Sequence, residues 1–206
     1  MFVKLTGDLP VSDANTMFSE LENNFRQQIS LTADEFERVK RHFVPKKLRR
    51  KQFLLEQGDV CTRMAFVSKG ALFSYSTSDK GSINVVQFAF ESWWMADLYS
   101  FFTQEPSKLT IEALEDCELL LLKADRLEPL LAEVPVVESY LRILYQNAYV
   151  ALQRRMEETI GLTAEQRYTR FMARDGHLLL RVPQHLIASY LGVTPETLSR
   201  IRKSVS

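Results

Sequence analysis

The stretch that most constrains this chain is its C-terminus, residues 182–206, VPQHLIASYLGVTPETLSRIRKSVS. Pro183 suits the first turn of a helix, where its missing N–H is not needed. Leu186, Ile187, Tyr190 and Leu191 recur at helical spacing and make one apolar stripe. Gly192 then supplies the backbone freedom that a left-handed helix end requires. Thr194 is a natural N-cap and Pro195 a natural first helical residue, while Leu198 and Ile201 give a second helix its buried side. Glu196, Thr197, Ser199, Arg200, Arg202 and Lys203 are left facing outward. A short helix, a glycine turn and a second helix with such a face have the form of a helix-turn-helix, whose second helix enters the DNA major groove. The plainer reading of the same residues is an αα-corner in an ordinary helical domain.

Charge agrees with the sharper reading. The formal net charge is zero, but residues 162–206 hold seven Lys/Arg against three acids, leaving 19 basic against 23 acidic residues elsewhere. A basic end on an acidic body suits a phosphate-binding module joined to something else. Residues 46–51 (KKLRRK) hold five basic residues in six. They read either as a nucleic-acid patch or, preferably, as the solvated lead-in to the β-pattern that follows directly.

Upstream, residues 1–16 show no sustained period and carry Gly7 and Pro10, so a flexible extension is expected. Phe18, Leu21, Phe25 and Ile29 then set a helical rhythm. A second helix is announced by Thr32 and Glu35 at capping-box spacing, continues through Phe36, Val39 and Phe43, and stops at Pro45. From Gln52 to Lys123 the rhythm is that of strands. Short apolar runs, separated by turns such as Ser68-Lys69-Gly70 and Asp79-Lys80-Gly81, recur about every ten residues, the pattern of a β-sandwich or barrel. A short helix near residues 125–131 stops at Pro135. Residues 136–160 carry the longest helical pattern, with Val137, Leu141, Leu144, Ala148, Ala151 and Arg155 in the 4-3-4-3-4 spacing of a coiled-coil seam. A symmetric dimer helix is the preferred reading, against an intramolecular packing helix. Gly161 breaks it, and Thr163 with Gln166 caps the next helix, which carries Tyr168, Phe171 and Met172.

Several classes are excluded. The three histidines, His42, His177 and His185, all lie outside the β segment, which removes a cupin-type metal enzyme. No Ser-His-Asp grouping or P-loop is present. Cys61 and Cys117 have no neighbouring cysteine at ligand spacing and are expected to be reduced thiols, with no zinc or iron–sulfur site. No apolar run approaches the roughly 20 residues of a membrane span, and no export signal opens the chain, so a cytoplasmic, non-membrane protein is expected. Neither enzymatic activity, a metal nor a cofactor is expected.

In this order of elements, and in LLEQGDV (54–60), VSKGALFSY (67–75), EALED (112–116) and VPQHLIASYLGVTPETLSRIRK (182–203), the chain resembles the Crp/Fnr family of bacterial transcription regulators over residues 17–203. The last string is similar to a subgroup common in Bacteroidetes. The resemblance implies an α+β fold: an N-terminal double-stranded β-helix (jelly-roll) with flanking helices, a long dimerisation helix and a C-terminal helix-turn-helix domain. It divides the chain into residues 17–135 as a cyclic-nucleotide-binding-like effector domain, 136–160 as the dimerisation helix and 161–206 as the DNA-binding domain.

The family's recognition helix often carries Glu-x-x-Ser-Arg, and Glu196, Ser199 and Arg200 stand at those positions, which implies base contacts. The chemistry agrees, since Arg can fork onto guanine and Glu can accept from a cytosine amino group. Thr194, Thr197, Arg202 and Lys203 would be phosphate contacts. Pro195 replaces a base-reading side chain of some relatives. The chain ends soon after this helix, so the family's β-hairpin wing is expected to be absent.

In relatives that bind cAMP, a Gly-Glu pair and an Arg-Ser pair hold the cyclic phosphate. Here the matching residues are Ala96-Asp97 and Ser107-Lys108, and lysine is a poorer bidentate anion clamp than arginine. The resemblance places an effector pocket at Trp94, Asp97, Leu98, Ser107, Lys108, Leu152 and Gln153, with an unidentified effector other than cAMP. Trp93, Trp94, Tyr99 and Phe101 could line an apolar pocket for it, or simply fill the core. The partners implied are double-stranded DNA with an inverted repeat, a second copy of the chain, and RNA polymerase. A sensor module acting on a protein partner, with a vestigial helix-turn-helix, is the alternative.

Overall fold

Four consecutive leucines, residues 119–122, are buried on both faces of the strand that carries them, and that double burial sets the layering of the molecule. In the computed structural model, which describes residues 11–79, 81–176 and 180–205, Leu119 and Leu121 point between two sheets. Leu120 and Leu122 point outward into a layer of helices.

The strands are β1 (Phe43–Leu48), β2 (Phe53–Leu55), β3 (Arg63–Lys69), β4 (Leu72–Thr77), β5 (Ile83–Ala89), β6 (Trp94–Met95), β7 (Thr110–Ala113) and β8 (Cys117–Lys123). They form two antiparallel four-stranded sheets, in the orders β1-β8-β3-β6 and β2-β7-β4-β5. Their inner faces meet in a core that includes Leu55, Val67, Leu72, Met95, Ile111 and Leu119. This is the jelly-roll of the expected α+β fold. The basic run starts inside β1, an edge strand, where Pro45 forfeits no ladder hydrogen bond. The β3–β4 hairpin needs glycine at Gly70. Its φ is +94°, and a Cβ there would stand 2.5 Å from the Asp116 carbonyl oxygen.

The outer face of the first sheet is covered by α1 (Val11–Arg26), α2 (Ala33–Lys40), α4 (Ala124–Glu133) and the first half of α5 (Val136–Gly161). The capping box of α2 forms as expected, with Thr32 Oγ1 accepting from the Glu35 N–H and Glu35 accepting from the Thr32 N–H. α1 begins at Val11 rather than near Met17, so the described part of the expected extension, residues 11–16, is helical. The buried stripe of Met17, Leu21 and Phe25 anchors a helix that propagates toward its N-terminus through residues 11–16, which carry no apolar period of their own. Residues 1–10 of that extension, His177 and Ser206 lie outside the described residues.

The outer face of the second sheet is covered by α6 (Ala164–Asp175), α7 (Gln184–Leu191) and α8 (Pro195–Val205). Phe73, Val85, Phe88 and Phe90 of the roll share one core with Phe171, Ile187, Leu191 and Leu198. The remaining helix, α3 (Leu98–Thr103), closes the loop between β6 and β7. Cys61 and Cys117 are free and buried, and burial pushes both thiols up, Cys117 to about 11, so neither is a ready nucleophile or ligand. Among the described residues no helix is long and apolar enough to cross a membrane, and no group of three His, Cys, Asp or Glu could hold a metal.

Candidate nucleic-acid interface and sensor cavity

α7 and α8 are joined at Gly192, whose φ of +68° makes the left-handed cap expected of it. Thr194 caps α8 by accepting from the Thr197 N–H at 3.2 Å. Leu198 and Ile201 are buried, which turns Glu196, Ser199, Arg200, Arg202 and Lys203 outward, all of them exposed. Thr194 is exposed and Thr197 half-buried. Arg200 donates to Thr197 Oγ1 at 3.3 Å, so its guanidinium leans along the helix toward its N-terminal end. The backbone N–H of Glu196 and then the Thr194 hydroxyl hold the Glu196 carboxyl below its usual pKa, which keeps it an acceptor.

The helices behind this face are tied to the roll by polar clamps. Ser189 of α7 accepts from the Val85 N–H at 2.9 Å and donates to the Ile83 carbonyl at 2.6 Å, so it extends the edge of β5 by one residue's hydrogen bonds. Arg155 of α5 donates to the carbonyls of Val85, Val86 and Tyr190 and lies 4.2 Å from the centre of the Tyr190 ring. Arg181 forks onto two carboxylates of the roll, Glu91 at 2.7 and 2.8 Å and Glu115 at 2.8 and 3.1 Å. Neither Arg181 nor Glu91 stands out in the sequence, and the EALED run that contains Glu115 gives no sign of the pairing. Arg155 had a signal, an arginine in an otherwise apolar seam.

The first half of the seam faces inward, while Ala148 and Ala151 of its second half are exposed. Val137 and Leu141 lie in the chain's own core, Leu144 packs against it, and Arg155 is bound to β5. The large apolar residues that α5 exposes are Tyr149, Leu152, Met156 and Ile160, spaced 3-4-4 on a flanking face about 100° round the helix, together with Val150.

The expected effector residues divide. Asp97, 7% exposed, and Ser107, 3% exposed, come together: Ser107 Oγ donates to Asp97 Oδ2 at 2.6 Å, and the Ser100 N–H donates to Asp97 Oδ1 at 3.3 Å. Ser100 Oγ in turn accepts from the Cys61 N–H and donates to the Glu105 carbonyl. Trp94 and Leu98 line a cavity of about 500 Å³ between α1, β6 and α5. Lys108, Leu152 and Gln153 are exposed and take no part in either, and Leu152 instead borders a neighbouring cavity beside Phe88 and Phe90. Trp93 lines the cavity too, whereas Phe101 is core and Tyr99, 58% exposed, bonds to Glu105 at 2.6 Å.

Residues 45–134 match the model of the cyclic nucleotide-binding domain. The transcriptional activator protein Anr of Pseudomonas protegens is 26% identical over 165 residues, covering 75% of this chain and 67% of Anr. Among solved structures, FixK2 of Bradyrhizobium japonicum superposes with a TM-score of 0.69 at 19% identity, covering 79% of this chain and 84% of FixK2. CLP of Xanthomonas campestris, described as a c-di-GMP responsive global regulator, gives a TM-score of 0.62 at 17% identity, over 84% of this chain and 91% of CLP. Residues 45–134 are thus similar to a cyclic nucleotide-binding domain, and the chain shares its fold with FixK2 and CLP.

Proposed function

We propose that this chain is a dimeric, sequence-specific DNA-binding regulator of transcription. The carrying observation is the exposed face of α8, where Glu196, Ser199 and Arg200 stand free on a helix whose opposite side is fixed in the core. These three are the base contacts. Thr194, Thr197, Arg202 and Lys203 are the phosphate contacts, with residues 161–206 as the DNA-binding unit and 17–135 as the sensor. Selection from random duplex DNA tests the reading: enrichment of an inverted repeat, with half-sites about one helical turn apart, is expected. No enriched palindrome refutes it. Arg200→Ala is expected to cost about 1–3 kcal/mol and relax preference at one base pair. A uniform loss across all sequences would make Arg200 a phosphate contact instead.

The second copy docks on the stripe of Tyr149, Leu152, Met156 and Ile160, which a single chain leaves in water. Leu152→Lys is expected to shift the chain from dimer to monomer in analytical ultracentrifugation while leaving its circular dichroism unchanged. A dimer that survives would place the interface elsewhere.

A signal reaches α8 through α5. Arg155 couples the inner side of that helix both to β5 and to the Tyr190 carbonyl of α7, so a displacement of α5 carries the helix pair with it. The effector is not cAMP. The cassette's buried polar side chains are satisfied by one another and by backbone, and an incoming phosphate would meet the Asp97 carboxylate.

A further inference from the structure

Seventeen residues line the cavity between α1, β6 and α5, and none carries a formal charge, in a chain of which a quarter is Asp, Glu, Lys or Arg. The groups that could ionise there do not. Burial pushes the Tyr145 hydroxyl up to about 12 and drives that of Tyr140 higher still. The polar hydrogens of the inner wall are already spent: the Trp94 indole N–H donates to the Tyr140 hydroxyl at 2.7 Å, and that hydroxyl donates to Asn24 Oδ1. What the wall offers is therefore ring faces and methyl groups. Gln28 and Asn147, exposed at the mouth, are available to bond a polar group of an occupant. The volume of about 500 Å³ is that of a small-molecule site. Beside it, the segment that would hold a cyclic phosphate is closed by Asp97 and Ser107.

We infer that this cavity binds an uncharged small molecule containing a flat ring, and that it discriminates against anions. Transfer of an anion into an uncharged, apolar wall forfeits its hydration without a compensating cation, whereas a neutral ring gains burial and aromatic contact. The occupant would lie against Tyr140, Leu144 and Ala148, about 110° round α5 from the exposed stripe of Tyr149, Leu152 and Met156. Binding would thus set the position of α5 from inside while leaving its outer face open to a second copy. This deepens the sensor half of the proposed regulator, but binding is measured without DNA, so its failure and a failure to bind DNA are read separately.

The chain carries its own reporter, because both of its tryptophans, Trp93 and Trp94, line this cavity. The test titrates the purified full chain with N-phenyl-1-naphthylamine and, separately, with 8-anilino-1-naphthalenesulfonate, which has the same rings and a negative charge. Tryptophan quenching is followed in both. The neutral probe is expected to quench saturably with one site per chain, and the sulfonate to bind at least about tenfold more weakly. Added cAMP is not expected to displace the neutral probe. Ala148→Phe fills the cavity from α5 and is expected to reduce affinity about tenfold. If circular dichroism shows that variant unfolded, Asn147→Phe at the exposed mouth takes its place. Any one of four results overturns the inference: no saturable quenching, displacement by cAMP, unchanged affinity in the folded variant, or a sulfonate that binds as well as the neutral probe. The last would point to the neighbouring cavity flanked by Arg154, Arg155 and Arg174.

Discussion

The two sheets of the roll are each covered by helices, but by different means. Over the first sheet, α1, α2, α4 and α5 meet Phe43, Phe66, Leu120 and Leu122 in a mainly apolar layer, with the Tyr140–Asn24 and His42–Glu133 contacts among its few directed bonds. Over the second, α6, α7 and α8 share an aromatic core with the roll and are also held by directed bonds from Ser189, Arg155 and Arg181. An apolar layer is non-directional and scales with area. A forked guanidinium works at one geometry and is lost when the partner shifts or titrates. The second cover is therefore the one that changes at single side chains can loosen, whereas the first depends mainly on buried area.

Breaking the first cover should have the largest effect. Phe66 is fully buried and meets the edge of Trp94 at 5.5 Å, so Phe66→Ala is expected to cost about 3–5 kcal/mol. Urea denaturation should show the loss as a lower midpoint in one global transition. A smaller, local effect is expected from Arg155→Ala. Three carbonyls lose a charged donor, a change of about 1.5–3 kcal/mol. Hydrogen exchange should quicken in α6, α7 and α8 and stay unchanged in α1 and α2. Equal acceleration on both sides would mean that the two covers form one cooperative unit.

What the sequence made legible follows the same division between local and remote. Gly192, Thr194 and Pro195 act within one turn of the chain, and so the helix pair and the outward face of α8 could be read directly. The capping boxes Thr32–Glu35 and Thr163–Gln166 were legible for the same reason. Which way α5 faces was not. Its seam of Val137, Leu141 and Leu144 and its stripe of Tyr149, Leu152 and Met156 are both apolar at helical spacing, and only the rest of the fold decides which is covered. The effector set failed differently. A motif position fixes where a residue sits along the chain but not its partner, so Asp97 and Ser107 proved to be bonded to each other, while Lys108 is exposed. Arg181 joins carboxylates 66 and 90 residues away, a pairing that no spacing announces.

Arg181 also offers the most selective way to separate the two covers. Burial alone would raise the pKa of Glu91, but Arg181 and the Gly70 N–H outweigh it and hold the carboxyl below its ordinary value. A group whose folded pKa is depressed contributes stability that is present above its unfolded pKa, about 4.3 for Glu, and lost as the pH falls through the folded value. The second cover should therefore loosen in acid below about pH 4.3 through this pair. The side chains of Arg181, Glu91 and Glu115 are about a third or more exposed, so water screens the clamp and Arg181→Ala is expected to cost only about 1 kcal/mol at neutral pH. The discriminating measurement is the acid limb of urea midpoints for wild type and variant. The wild type should fall more steeply below about pH 4.3, and the difference at neutral pH should shrink in high salt. Superimposable acid limbs would show that Arg181 only packs against Phe90, over whose ring it lies at 5.3 Å, and that the second cover is held by its aromatic core alone.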